Sequence, residues 1–244
     1  MTISIRLQSV SALMAGVGAD AHAWLSPAER ARLADIHAPR RAAQFVAGRW
    51  LARALLAERF GGVPADWTIE ASPDGAPRVA GHADKHLSIA HGGDSVACAV
   101  GDRPVGLDLE VRRPGRSRAA LLGAITSATE RDVLLAGRAH DTETLALEAW
   151  TLKEAALKCR GGELFSTMLG HRACIRPTGS ARIDVPPNGC SGWHGDAVVA
   201  VVSDPLLPEL DHGSTPPAAM RHWQVAMPCY GADSPQRRAA TAPR

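Results

Sequence analysis

From residue 105 to 111 apolar and polar positions alternate: Val105, Leu107, Leu109 and Val111 against Gly106, Asp108 and Glu110. That period of two predicts a strand with its aliphatics on one face and both carboxylates on the other, across a glycine that leaves open space. Shorter runs at 86–90 and 95–100 read as strands as well, and Gly101-Asp102-Arg103-Pro104 has the length of a hairpin connection from the second of these into 105–111. Helical spacing dominates elsewhere. Ser26-Pro27-Ala28-Glu29 combines a capping serine, a first-turn proline and an acid at the third position, which predicts a short helix to about residue 37. A second helix is predicted over 39–60, with Ala42, Phe45, Val46, Trp50, Leu51, Ala54 and Leu55 on its apolar face. Gly61-Gly62 ends it, and Arg40, Arg41, Arg49, Arg53 and Arg59 form its basic side. Ser127-Ala128-Thr129-Glu130 reads as another capping box, and a longer helix over 142–159 is closed by Gly161-Gly162. Further strands are predicted at 172–176, 182–185 and 197–202, and Pro73 to Pro77 reads as a turn.

Helices then strands, repeated once, predict an α+β architecture of two similar halves, 1–104 and 105–210, that meet near Pro104. From 211 to 244 Pro, Ala, Gly, Ser and Arg dominate, which predicts a partly disordered tail on which His222 to Val225 docks back.

Composition narrows the function classes. A hydrophobic share of 45% and a charged share of 21% are those of an ordinary globular chain, and a net charge of +2 gives no reason to expect nucleic acid. The five cysteines form no C-x-x-C pair, and their odd number predicts a reducing, cytoplasmic setting. The stretch 10–23 ends in small residues as a leader does, but it has one preceding arginine, no dense apolar run, and Asp20 inside it. No apolar run approaches the ~20 residues that cross a bilayer, so no membrane partner is expected.

The chemistry lies in two segments. On the strand, Asp108 and Glu110 point to one side and can share one divalent ion. On the helix, Trp150, Glu154 and Lys158 lie four apart on a single stripe. An acid and a lysine so spaced are by themselves an ordinary surface pair. From Leu145 to Leu157, however, the helix is apolar on most sides, and burying Lys153, Glu154 and Lys158 demands partners or a bound ion. Three carboxylates and a lysine would then make a site for Mg²⁺ and phosphate. His91, followed by Gly92-Gly93, offers an imidazole and open backbone to a phosphate. G-x-x-x-x-G-K-[ST], G-x-G-x-x-G and G-x-S-x-G are all absent, which removes P-loop, Rossmann and hydrolase readings.

Together these segments resemble the Sfp-type 4′-phosphopantetheinyl transferases. Val105–Glu110 is similar to that family's (V/I)-G-(V/I)-D-(V/I)-E, and Trp150–Lys158 to its W-(S/T)-x-K-E-(A/S)-x-x-K. Leu87-Ser88-Ile89-Ala90-His91-Gly92 resembles N-I-S-H-S-G, Phe45 to Arg49 resembles F-x-x-G-R, Ser127 to Glu130 resembles S-x-x-E, and Gly161 to Leu164 stands near G-x-G-L. The resemblance implies a pseudo-duplicated two-half 4′-phosphopantetheinyl transferase fold with coenzyme A in the cleft between halves. It implies transfer of 4′-phosphopantetheine from coenzyme A to a serine of an apo acyl- or peptidyl-carrier protein, with release of 3′,5′-ADP. Asp108, Glu110 and Glu154 would hold Mg²⁺, Glu110 or Glu154 would take the serine proton, and Lys158 would clamp a phosphate oxygen. His91 and Arg49 would bind the 3′-phosphate end of coenzyme A, with Arg53, Arg78 and Ser88 also on the cofactor side. Lys153 would serve structural pairing, and a monomer suffices.

Two departures stand out. Ala76 occupies the lysine of the family's G-K-P, with Arg78 two residues on as the candidate replacement. Ala90 occupies the position of a serine, with the expected loss of a hydroxyl contact to phosphate. Both lean toward an alternative, a weakened or inactive homologue that binds carrier proteins without modifying them; the full set Asp108, Glu110, Glu154 and Lys158 leans against it.

Overall fold

A computed structural model of the chain describes residues 2–17, 23–71, 76–113, 118–136, 141–161, 168–178, 186–213, 216–217 and 219–227. The predictions at 182–185, at Gly162 to Leu164 and at Pro73 to Gly75 lie outside the described residues, as does 228–244. The elements run β1 (Thr2–Ser9), α1 (Val10–Val17), α2 (Pro27–Ala34), α3 (Pro39–Phe60), β2 (Ile69–Ala71), β3 (Pro77–Val79), β4 (His86–Gly92), β5 (Ser95–Gly101), β6 (Val105–Val111), α4 (Ala119–Ile125), α5 (Ala128–Ala136), α6 (Thr142–Arg160), β7 (Cys174–Pro177), β8 (Gly189–His194), β9 (Ala197–Ser203), β10 (Glu209–Asp211) and β11 (Met220–Ala226). The chain is thus α+β, as expected.

Two sheets stack between two long helices. One has the order β10-β1-β5-β4 and the other β6-β9-β8-β11-β7, while β2 and β3 pair apart. Alternation along the strands builds the layers. Val96, Cys98 and Val100 of β5 pack under α3 with Ala47, Leu51, Leu55 and Leu56. Ala97 and Ala99 of the same strand face the other sheet, where they meet Leu107 and Leu109 of β6 and Val199 and Val201 of β9. Ala200 and Val202 of β9 turn the opposite way, to Leu152, Ala155 and Ala156 of α6. β1 and β6 each pair antiparallel with the second strand of a later hairpin (β4–β5 and β8–β9, respectively).

Several expectations need correction. The connection 101–104 is not a hairpin, because β5 and β6 lie in different sheets; β4 and β5 are the hairpin. Gly106 opens no space. A Cβ there would stand 1.9 Å from the Ala155 carbonyl oxygen, so the glycine is what lets α6 lie directly on β6. Of the expected apolar face of α3, Val46, Leu51 and Leu55 are buried, whereas Ala42, Phe45, Trp50 and Ala54 are only partly so; Ala47, Gly48, Ala52 and Leu56 complete the buried side. The segment read as a docking tail contains β11, which hydrogen-bonds β7 on one side and β8 on the other, with Trp223 fully buried. Residues 2–17 form a strand and a helix; Val10, Leu13 and Met14 pack into the α3 cluster. No helix among the described residues is long and apolar enough to cross a membrane.

Candidate active site

Along β6 the face opposite the core presents Gly106, Asp108 and Glu110 toward α6, as the alternation predicts. Because Gly106 lets the helix touch down there, Asp108 is carried into the helix's open flank. Lys158 Nζ donates to Asp108 Oδ1 at 2.7 Å, with the lysine 36% exposed and the carboxylate buried. The other oxygen, Asp108 Oδ2, is buried with no hydrogen-bond partner. Beside it stands Glu154, one turn before Lys158. Burial pushes its carboxyl up to about 7, the negative charges of Asp108 and Glu110 add to that shift, and Lys158 opposes it. Glu110 is raised as well, by burial first and by Asp108 second. Among the described residues no three His, Cys, Asp or Glu side chains are gathered to hold a metal ion as they stand. Carboxylate oxygens are nevertheless the type of donor a hard divalent cation takes. A buried carboxylate oxygen without a partner, and two carboxyls raised by burial and then by the Asp108 charge, mark negative charge that one lysine does not neutralise.

Trp150, on the same stripe, is half-buried against the cluster under α6. Its neighbour Lys153 points the other way and is 0% exposed. It donates to the Ile125 carbonyl at 2.5 Å and to Glu130 Oε2 at 3.0 Å, while Glu130 Oε1 accepts from Ile175 N–H at 2.7 Å. The structural pairing expected of Lys153 is therefore present, and it explains why only half of the predicted capping box forms. Ser127 Oγ accepts from Glu130 N–H at 3.2 Å, but the Glu130 carboxylate has turned inward to the lysine.

The edges of the two sheets meet where β4 passes β6. Ser88 Oγ accepts from Leu107 N–H at 2.9 Å, so this serine, expected on the cofactor side, instead joins the strands. Gly92 is needed for the same passage: a Cβ would meet Leu109 Cδ2 at 2.7 Å. Ala90 packs between the sheets, facing their shared core, so a serine there would bring no hydroxyl to a phosphate. His91 ends this strand within the electrostatic reach of Lys158 and Asp108.

On its other side His91 borders a pocket of about 600 Å³. Arg32, Arg41 and Arg49 line it together with Gln44, and Ile36, Phe45, Pro77 and Ile89 supply apolar wall. Arg41 Nη1 lies 2.7 Å from His91 Nε2 and 3.0 Å from Nδ1, so the ring accepts from the guanidinium. Burial, and then the Arg41 charge, hold His91 below the ordinary histidine range. Arg49 stands over Phe45, and its Nε and Nη1 are buried without hydrogen-bond partners. Arg53, expected beside it, does not reach the pocket. It is 1% exposed and forks onto Glu29 at 2.5 and 3.1 Å, while the Glu29 carboxylate also closes the predicted capping box with Ser26. Arg78 is 59% exposed and faces Glu70 at 3.5 Å, away from the pocket wall. Sequence reasoning assigned no role here to Arg32, Arg41 or Gln44. The only signal was the basic side of α3, and nothing local says which of its arginines meets a histidine fifty positions away.

Carboxylates beside a lysine, next to an arginine-lined pocket, equip a protein to handle a multiply phosphorylated anion. The family model of the 4′-phosphopantetheinyl transferase superfamily matches residues 104–202, the stretch that holds β6, α6 and β9. Through that segment the chain is similar to the 4′-phosphopantetheinyl transferase superfamily. It is 27% identical over 139 residues to a 4′-phosphopantetheinyl transferase of Bacillus subtilis, covering 57% of this chain and 61% of the relative. It is 30% identical over 140 residues to the 4′-phosphopantetheinyl transferase psf-1 of Bacillus pumilus, covering 57% and 59%. With the 4′-phosphopantetheinyl transferase AcpT of Escherichia coli (strain K12) it shares 34% over 116 residues, 47% of this chain and 58% of the relative. The chain thus spans about three-fifths of the length of the curated relatives it matches.

Proposed function

We propose that this chain transfers the 4′-phosphopantetheine group of coenzyme A to a serine hydroxyl of an apo acyl- or peptidyl-carrier protein, with release of 3′,5′-ADP. The observation that carries the proposal is Asp108, buried with one oxygen on Lys158 and the other without a partner, beside a Glu154 raised to about 7. In this reading the halves are 1–104 and 105–210, a duplication supported by the shared strand order β1-β5-β4 and β6-β9-β8. Coenzyme A lies along the seam from the arginine pocket to the carboxylates.

Asp108, Glu110 and Glu154 would hold Mg²⁺, which when bound supplies positive charge against the pyrophosphate and the leaving group. Lys158 adds a fixed cation on the same flank, able to leave Asp108 for a phosphate oxygen. The carrier's serine oxygen attacks the β-phosphorus and its proton passes to Glu110 or Glu154. The bond from that phosphorus to the bridging oxygen breaks, and 3′,5′-ADP takes the electron pair. Ala155 and Ala156 pack with Ala200 and Val202 of β9, which anchors α6 and the Glu154 it carries.

The weakened-homologue reading loses one of its two supports, since the Ala90 side chain belongs to the inter-sheet core. Free thiols at Cys98, Cys159, Cys174 and Cys190 support a reducing, cytoplasmic setting. The test incubates the protein with coenzyme A, Mg²⁺ and a panel of apo carrier proteins. The expected result is a mass gain of one phosphopantetheine on at least one carrier. No gain across the panel, with an established transferase succeeding alongside, refutes the proposal.

A further inference from the structure

One strand in from the edge where β4 passes β6, the two sheets face each other again, β1 against β8 and β9, across a gap of about 10 Å³. That is room for one water at most. Ile5 and Leu7 of β1 line the gap from one sheet, Val199 and Val201 of β9 from the other. Into this apolar seam the chain places two imidazoles, His194 at the end of β8 and His212 one residue past β10. His212 Nε2 is buried with no hydrogen-bond partner.

The charged groups around the rings are already engaged. From β1, Arg6 reaches beneath Gly213, where a Cβ would stand 2.7 Å from its Cζ. From β10, Asp211 accepts from Gly213 N–H at 2.8 Å and from Arg6 Nη2 at 3.2 Å, and Glu58 of α3 pairs with the same arginine. Asp196 in the β8–β9 turn and His222 of β11 are exposed, and β9 contributes only its valines. Cys190 of β8 also lines the gap, its thiol pushed up to about 12 by burial. Burial, and then the charge on His194, hold His212 below the ordinary histidine range, with Asp211 opposing and Arg6 adding to the shift. Burial alone lowers His194. A ring that is harder to protonate folded than unfolded leaves stability intact above its ordinary value of about 6.5, and stability falls as pH drops below it.

We infer that His194 and His212 form a pH-sensitive closure of the inter-sheet core. Neutral, they let β1 seat on β8. Charged together in a gap with no space for hydration, they open that side, while the Ser88–Leu107 hydrogen bond keeps β4 joined to β6. The inference is independent of the transfer reading, since both rings face the seam between the sheets and the carboxylates face α6.

Cys190 reports the opening, and Cys98, also buried but packed under α3, is the internal reference. The full chain is treated with N-ethylmaleimide at about pH 7.5 and about pH 5.5, and label at each cysteine is measured by peptide mass spectrometry. The Cys190-to-Cys98 ratio removes the loss of thiolate that both share at low pH. One pH unit below the ordinary value shifts the closed–open balance by at most about tenfold per ring. The ratio should therefore rise roughly 10- to 100-fold in the parent, at most about 10-fold in His194→Gln or His212→Gln, and not at all in the double variant. A constant ratio in the parent overturns the inference, because acid then opens both cores or neither. An equal rise in parent and double variant overturns it too, by assigning the opening to other groups. Should the double variant not fold, the single variants decide, and the parent's full rise in both of them refutes the closure.

Discussion

The two long helices, α3 and α6, solve one problem twice and then part ways. Each buries an ion pair: Arg53 with Glu29 under α3, Lys153 with Glu130 under α6. Both pairs are dry, short and completed by further hydrogen bonds, Ser26 N–H to Glu29 and Ile175 N–H to Glu130. Each helix also presents charge on an open flank, and there the partners run out. Arg49 keeps two buried N–H groups without acceptors, and Asp108, facing Glu154 of α6, keeps an oxygen without a donor. Buried charge that is fully met holds the fold, whereas buried charge left unmet marks where a ligand belongs. The signs differ as well: α3 offers cations to an anion, and α6 with β6 offers carboxylates to a cation.

That contrast can be broken in order of effect. Glu154→Gln, nearly isosteric on the open flank, should reduce carrier modification by about 10²–10⁴-fold while the urea midpoint stays near the parent's. Turnover that survives in a mass-spectrometric assay removes Glu154 from the site. Lys153→Met, one residue away on the buried side, should instead cost about 3–5 kcal/mol of stability by stranding Glu130, and Arg53→Met should cost about the same by stranding Glu29. Denaturant titration measures both. A loss of coenzyme A affinity in Arg53→Met, without a loss of stability, would return Arg53 to the binding side. Gly106→Ala must push α6 off β6, and overpacking of this kind costs about 1–3 kcal/mol. A variant as stable as the parent would mean that the helix does not rest on that glycine.

Much of this was legible in the chain. Strict alternation at β6 gave its bounds and both faces, because a strand buried on one side and ionisable on the other leaves no second reading. The N-terminal cap of α2 and the closing glycine of α6 were equally plain, since each depends on residues within one turn. What failed was whatever depended on distant partners. Gly106 was read as space because its neighbour, the Ala155 carbonyl, lies on another element. Arg49 and Arg53 fall on the same stripe of α3, and only the position of Glu29 makes one structural and leaves the other facing the pocket. Ile3, Ile5 and Leu7 of β1 alternate as clearly as β6 does, yet no strand was predicted there. Trp223 and Val225 mark β11 only once β7 and β8 flank it.

The proposed function requires carboxylates from β6 and α6 to act with one divalent cation. Carrier mass is followed by time after mixing with coenzyme A, first in Mg²⁺, then with a chelator in excess, then with Mg²⁺ restored. The prediction is modification that stops on chelation and resumes in full on restoration. Modification that proceeds unchanged in the chelator would contradict it.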